Sequence, residues 1–203
     1  MRNVATDSAN VEPDEALNRL LDGNRRFIAG KSSQPTGQLL VERRQALARN
    51  QNPFAVILGC SDSRVPPELV FDVTLGDLFV VRTAGEVVDR VALGSIEFAI
   101  EHLGTRLIVV LGHQSCGAVS AAASGPAESG NIPNVLKAIQ PAVEKAKGLE
   151  GDSIENGVRA NALDIAKRLQ SSGPIIPPRA DAGVVKIVAG YYSFDTGQVE
   201  LLR

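Results

Sequence analysis

The sequence predicts an α/β fold: a mostly parallel β-sheet flanked by helices, with an N-terminal helical arm and a C-terminal antiparallel edge strand. Three observations carry this expectation. Short, wholly apolar runs at 54–58, 78–81 and 107–111 have the character of strands buried on both faces. Between and after them, apolar residues recur at helical spacing, and strands alternating with helices imply parallel pairing through right-handed crossovers. Near the end, Asp195-Thr196-Gly197 separates two strand-like runs as a turn would, so the last strand comes back antiparallel.

The elements follow in order. Residues 1–12 read as frayed. From Pro13 a helix is expected, with Glu12, Asp14 and Glu15 at its positive end, an apolar stripe of Ala16, Leu17, Leu20, Leu21 and Phe27, and Gly30 just past its end. Residues 31–37 are a loop. A second, basic helix at about 39–49 has few apolar residues. Together 13–50 read as an arm that packs on a partner subunit, ahead of an α/β core at 53–203; the whole chain, 1–203, reads as one domain. In the core, helices are expected at about 89–103, 115–123, 135–147 and 154–170. Residues 125–130 and 173–178 break the chain. Residues 184–188 and 191–194 read as strand, and 198–202 as the returning edge strand.

Composition narrows the function classes. Hydrophobic residues make up 44% of the 203 and charged residues 22%, ordinary values for a globular protein. A formal net charge of −2 gives no reason to expect a nucleic-acid or anionic-membrane partner. No apolar run approaches the ~18 residues of a membrane helix, and the polar, acidic start carries no secretion signal, which favours the cytoplasm or a compartment loaded from it. Aromatics are 4% and tryptophan is absent, which argues against stacking platforms for bases or sugars.

The soft-ligand residues are few and grouped. There are two cysteines, Cys60 and Cys116, and two histidines, His102 and His113. Cys60-Ser61-Asp62-Ser63-Arg64 follows the first strand and His113-x-x-Cys116 follows the third. In open parallel sheets, sites form at such strand ends. If the chain stays extended past Cys60, then Cys60, Asp62 and Arg64 project to one side. Cys60, His113 and Cys116 supply three protein ligands for a zinc ion and leave a fourth position for water, the pattern of a catalytic site. Asp62 either fills that position and closes the site, or turns away to the fork of Arg64 and leaves it open. Zinc-bound water gives hydroxide near neutral pH, and two thiolates shift that activity in the alkaline direction. Blander readings exist for each residue singly: a buried small cysteine, a helix cap at Asp62 or Ser63, a surface ion pair at Arg64. A Cys60–Cys116 disulfide also fits if the strands adjoin. Cys60 and Arg64 are too close together for a phosphatase loop, and no Gly-x-Gly-x-x-Gly follows a strand.

Taken together, Cys60-Ser-Asp62-Ser-Arg64 and Gly112-His113-x-x-Cys116-Gly117 resemble the β-class carbonic anhydrases. The resemblance runs over nearly the whole chain. It includes Leu20-Leu21-x-Gly23-Asn24-x-Arg26-Phe27, the stretch from Gly76-Asp77 to Ala84-Gly85, and Gly94-Ser95-Ile96-Glu97-Phe98-Ala99. It implies reversible hydration of carbon dioxide to bicarbonate and a proton through zinc-bound hydroxide, with one zinc per chain on Cys60, His113 and Cys116. It implies that Asp62 and Arg64 are the catalytic pair, with Asp62 on the metal only in a closed state. It places the Gly117 N–H near a substrate oxygen and implies a homodimer or a multiple of dimers.

Subfamily features follow from the same resemblance. Gln51, nine residues before Cys60, matches a glutamine that bonds substrate across the dimer in plant-like members; an exposed loop amide is the other reading. Phe79 and Phe98 match apolar pocket positions. His102 matches a suggested proton shuttle, against the plainer reading of a solvated surface histidine. Bicarbonate-inhibited members often carry tryptophan three residues before the first cysteine. Here that residue is Ile57, which favours an open site. Carbon disulfide or carbonyl sulfide hydrolysis, and a catalytically silent zinc-binding assembly role, are the competing readings.

Overall fold

The computed structural model describes residues 11–125 and 129–203. The frayed start expected at 1–12 lies almost wholly outside the described residues, as does the middle of the break at 125–130. The chain runs α1 (Pro13–Ile28), α2 (Gln38–Ala46), β1 (Ala55–Cys60), α3 (Pro67–Val70), β2 (Leu78–Thr83), a 3-10 turn (Ala84–Glu86), α4 (Arg90–Leu103), β3 (Leu107–His113), α5 (Gly117–Ser124), α6 (Ile132–Ala146), α7 (Ser153–Leu169), α8 (Ile176–Asp181), β4 (Lys186–Tyr192) and β5 (Val199–Leu201). The strand order is β2-β1-β3-β4-β5, parallel except for the antiparallel β4–β5 pair.

β1 and β3 lie at the centre and are buried at every residue, which is why their sequences are continuous apolar runs. One face packs Val56, Leu58, Ile108 and Val110 against Ile96 of α4 and Ala162 and Leu169 of α7. The other packs Ile57, Leu107, Val109 and Leu111 against Leu20 of α1 and Phe71. β2 is an edge strand and only half-buried throughout. Asp89 caps α4 and Asp152 caps α7, each accepting hydrogen bonds from the next two exposed N–H groups.

The structure differs from the sequence-based expectation in five places. The run at 78–81, expected to be buried on both faces, forms the edge strand β2 and is half-buried because only one neighbour, β1, pairs with it. The strands expected at 184–188 and 191–194 are one continuous strand, β4, because Gly190 sits opposite Leu201 inside the ladder instead of breaking it. The break expected at 173–178 contains the start of α8, whose prolines stand at the helix entry, where a missing N–H costs nothing. The short helix α3 was not expected. The arm is also divided. α1 belongs to the core of its own chain: Ala16 and Leu20 are fully buried, and Gly23 meets α3 so closely that a Cβ there would lie 1.7 Å from the Phe71 carbonyl oxygen. Asn24 then staples α1 to the chain's end, donating to the carbonyls of Val70 (3.0 Å) and Gly197 (2.8 Å) and accepting from the Val199 N–H (2.9 Å). α2 alone stands off, with no buried residue.

Candidate metal centre

β1 and β3 are parallel neighbours, with Gly59 opposite Leu111, so both motifs leave the sheet at the same end. Cys60 is the last residue of β1 and His113 the last of β3. Cys116 directly precedes α5. Their donor atoms lie within 4.8 Å of one another, and all three residues are buried. The two sulfurs are 4.0 Å apart and both cysteines are free.

The donor set fits a metal ion. His113 places Nδ1 2.9 Å from the Gln114 carbonyl oxygen; a carbonyl can only accept, so that nitrogen carries the proton and Nε2 holds the lone pair. Nε2 is buried and has no hydrogen-bond partner among the described residues. A buried polar atom without a partner is costly, and here it belongs to the group of donors that includes the two sulfurs. Two sulfurs and an imidazole suit zinc better than they suit harder cations.

The charges agree with this. Contact with the Cys116 sulfur, helped by His113 and by the Gly85 N–H at 3.3 Å, outweighs burial and pulls the Cys60 thiol down. The same contact, with burial, pushes Cys116 up. In His113, burial works downward, but the adjacent Cys60 thiolate prevails and the net shift is up. A bound cation would hold all three donors deprotonated.

Beside this group stands Asp62, with Oδ2 3.9 Å from His113 Nε2. Extended backbone ends at Cys60, so alternation along a strand does not align Asp62 and Arg64. A turn closed by the Val65 N–H on the Asp62 carbonyl brings them together. Arg64 grips the carboxylate through its backbone N–H (2.9 Å), Nε (2.9 Å) and Nη2 (2.7 Å). Those bonds, opposed by burial, bring Asp62 down to about 2. Arg64 Nη2 also reaches the Ser115 carbonyl at 3.3 Å. Ser115 sits at φ +53, an uncommon backbone conformation for a residue with a side chain.

Of the other expected site residues, only Gly117 adjoins a donor in the chain. Gln51 is exposed on the coil before β1. Phe79 packs against the sheet face shared with α4. Phe98 is half-exposed on α4, its ring 4.7 Å from that of exposed His102. Gly117 opens α5 beside Cys116, and a Cβ there would meet nothing.

Other residues at the centre had no expected role. Arg82 donates to the Cys60 carbonyl (2.8 Å) and the Asp62 carbonyl, holding the turn from below; a lone arginine ending an apolar strand was the available signal. Gly85, at φ +62 and with a Cβ position 2.5 Å from Ile139, lets the 3-10 turn aim its N–H at the Cys60 sulfur. Glu86 next to it is fully buried, bonded through Oε1 to Asn161 Nδ2 (3.0 Å). Burial pushes its carboxyl up to about 8, against the opposing hydrogen bond from Asn161. Only tertiary packing shows that Glu86 and Asn161, distant in sequence, meet.

Known proteins share this architecture. The family model for carbonic anhydrase matches residues 55–199. A carbonic anhydrase of Mycolicibacterium smegmatis is 40% identical over 196 residues, covering 95% of this chain and 94% of the relative. Carbonic anhydrase 2 of Mycobacterium tuberculosis is 39% identical over the same length and coverage. Among solved structures, the β-carbonic anhydrase CcaA superposes with a TM-score of 0.72 at 28% identity, covering 92% of this chain and 98% of that one. The β-carbonic anhydrase of Coccomyxa, solved with acetazolamide, gives 0.69 at 25% identity, with 92% and 86% covered. The chain belongs to the carbonic anhydrase family, in its β class.

Proposed function

We propose that this enzyme hydrates carbon dioxide reversibly to bicarbonate and a proton, with one zinc ion per chain on Cys60, His113 and Cys116. The observation that carries the reading is the convergence of those three buried donors beside a carboxylate already held by an arginine fork. Zinc at such a site makes water acidic enough to serve as a nucleophile near neutral pH.

The chain's own residues do the rest. Arg64 keeps Asp62 ionised and turned from the donor group. Asp62 accepts a hydrogen bond from the reacting water and directs its lone pair at the carbon of carbon dioxide. The Gly117 N–H, in the first turn of α5 where amide donors lack helical partners, would meet an oxygen that gains negative charge. Water adds to carbon, one proton leaves to solvent, and bicarbonate departs. Asp62 closing onto the metal is the resting alternative, and Ile57 in place of tryptophan favours the open arrangement.

A homodimer or multiple of dimers belongs to the same proposal. α2 buries none of its residues, Leu39 is 63% exposed, and Val91 and Phe98 stand exposed on α4 beside the edge strand β2. A second copy would cover these surfaces and bring Gln51, Phe79 and Phe98 towards a substrate pocket that one chain does not complete. A tetrameric β-carbonic anhydrase of Sordaria macrospora has the same fold at 24% identity.

Stopped-flow carbon dioxide hydration on protein with zinc quantified per chain tests the reading. One zinc per chain with activity rising on the alkaline side is the expected result. One zinc per chain without hydration at any pH would overturn the catalytic assignment and leave the metal site.

A further inference from the structure

The loop between β4 and β5 touches both halves of the centre. The Gln114 side chain is fastened to it: its Oε1 accepts from the N–H groups of Phe194 (2.7 Å) and Asp195 (3.2 Å) and from Ser193 Oγ (3.2 Å), while its Nε2 donates to Asp195 Oδ2 (2.7 Å). The Gln114 backbone N–H donates to the Tyr192 carbonyl at 2.8 Å. The loop is therefore held in register with the very residue whose carbonyl orients His113.

Phe194 projects from that loop into the site. Its ring meets the His113 ring edge-on, centroids 5.8 Å apart at 69°. The Tyr192 ring also meets it edge-on, 5.3 Å away at 86°. The Arg64 guanidinium carbon lies 4.5 Å from the Phe194 ring centroid. Arg64 needs such support, since half of its side chain is open to solvent while Asp62 is only 17% exposed. An ion pair at the surface holds two flexible side chains weakly on its own. An aromatic face under a guanidinium limits where it can move, and here the guanidinium it meets is the one that forks onto Asp62.

We infer that Phe194 is a positioning residue: by stacking under Arg64 it keeps the guanidinium on Asp62 and so keeps that carboxylate away from the fourth position of the metal centre. This rests on the metal-site reading of the proposed function. It does not require that the substrate be carbon dioxide.

The test uses cobalt-loaded protein titrated with azide, a small anion that reports access to the open coordination position through visible absorption. Without the ring, Asp62 is less well neutralised, and an anion entering beside it meets more negative charge. Phe194→Leu is expected to bind metal stoichiometrically and azide about two- to fivefold more weakly, the range a cation–π contact near the surface supports. Phe194→Tyr, which keeps the aromatic face, is expected to restore the parental affinity. In an Arg64→Ala background Phe194→Leu is expected to have no further effect, because the ring acts through Arg64. Parental affinity in Phe194→Leu, or an equal loss with and without Arg64, would overturn the inference. So would loss of metal from both Phe194→Leu and Phe194→Met, since the ring would then be a support for His113. Hydration measured on the parental protein in the same preparation reads the proposed function separately. A parental protein that binds metal and azide but hydrates nothing would fail that reading and leave the Phe194 result intact.

Discussion

At the ends of β1 and β3, each candidate ligand is held by neighbours from its own chain. Cys60 is fixed by the Gly85 N–H and the Arg82 guanidinium, and His113 by the Gln114 carbonyl. In α2 no residue is buried, and Arg43 ties the helix to the loop before β2, donating to Asp77 Oδ1 (2.6 Å) and the Leu75 carbonyl (2.9 Å). The difference teaches where one chain suffices. A metal centre built on adjacent parallel strands needs only the sheet to place its donors. α2, with Leu39 and Leu40 exposed and no residue buried, has no such frame within its own chain, and the proposed dimer would supply one.

The strongest way to break this contrast is at the strand ends. Cys60→Ser or His113→Ala is expected to lose the metal and all measurable hydration, checked by metal analysis and stopped flow; full activity in metal-free Cys60→Ser would refute the assignment. Asp62→Asn keeps the metal donors but removes the charge that Arg64 holds and that orients the reacting water, so metal content should hold while kcat falls about 10²-fold. Metal affinity should also weaken as pH falls, because protons compete for His113 and the thiolates. An isothermal titration series across pH would show no such trend if the donors lay elsewhere.

Smaller effects sharpen the comparison within the arm. Asn24→Ala strips three backbone groups of their partner and should cost about 3 kcal/mol in denaturant unfolding, with metal stoichiometry retained. Asp72 gives a pH signature. Burial acts to raise its pKa, but Ser32, Ser33 and Arg26 prevail and hold it at about 2, against an ordinary value of 3.8. A depressed carboxyl contributes stability above its unfolded pKa and loses it as pH falls through the folded one. The stability gap between the parental protein and Asp72→Asn should therefore close between pH 3.8 and about 2. The smallest effect on the monomer is expected in α2. Leu39→Ser with Leu40→Ser should leave its unfolding free energy within about 0.5 kcal/mol, while sedimentation shows weaker self-association. A large loss of monomer stability would mean that α2 is part of the core after all.

Much of the fold was legible because burial on both faces writes itself as a continuous apolar run. Val56 to Leu58 and Ile108 to Leu111 could be placed as central strands without knowing their partners. The candidate metal donors were legible because the chain has so few cysteines and histidines, all but His102 standing at two strand ends. Gly190 misled because a glycine inside a strand looks like a break when the strand opposite is not seen. α8 was hidden because prolines read as breakers unless they stand at a helix entry.

The sequence by itself determined the fold class, the two motifs and the donor set, since these depend on local pattern and on which residue types can bind a soft cation. Only the tertiary structure decided that Asp62 and Arg64 meet through a turn, that α1 belongs to its own core while α2 does not, and that Glu86 with Asn161 and Phe194 with Arg64 border the centre. Those pairs are separated by 75 and 130 positions in the chain. No local periodicity encodes such contacts, because they arise from which strand ends and helix faces the sheet order brings side by side.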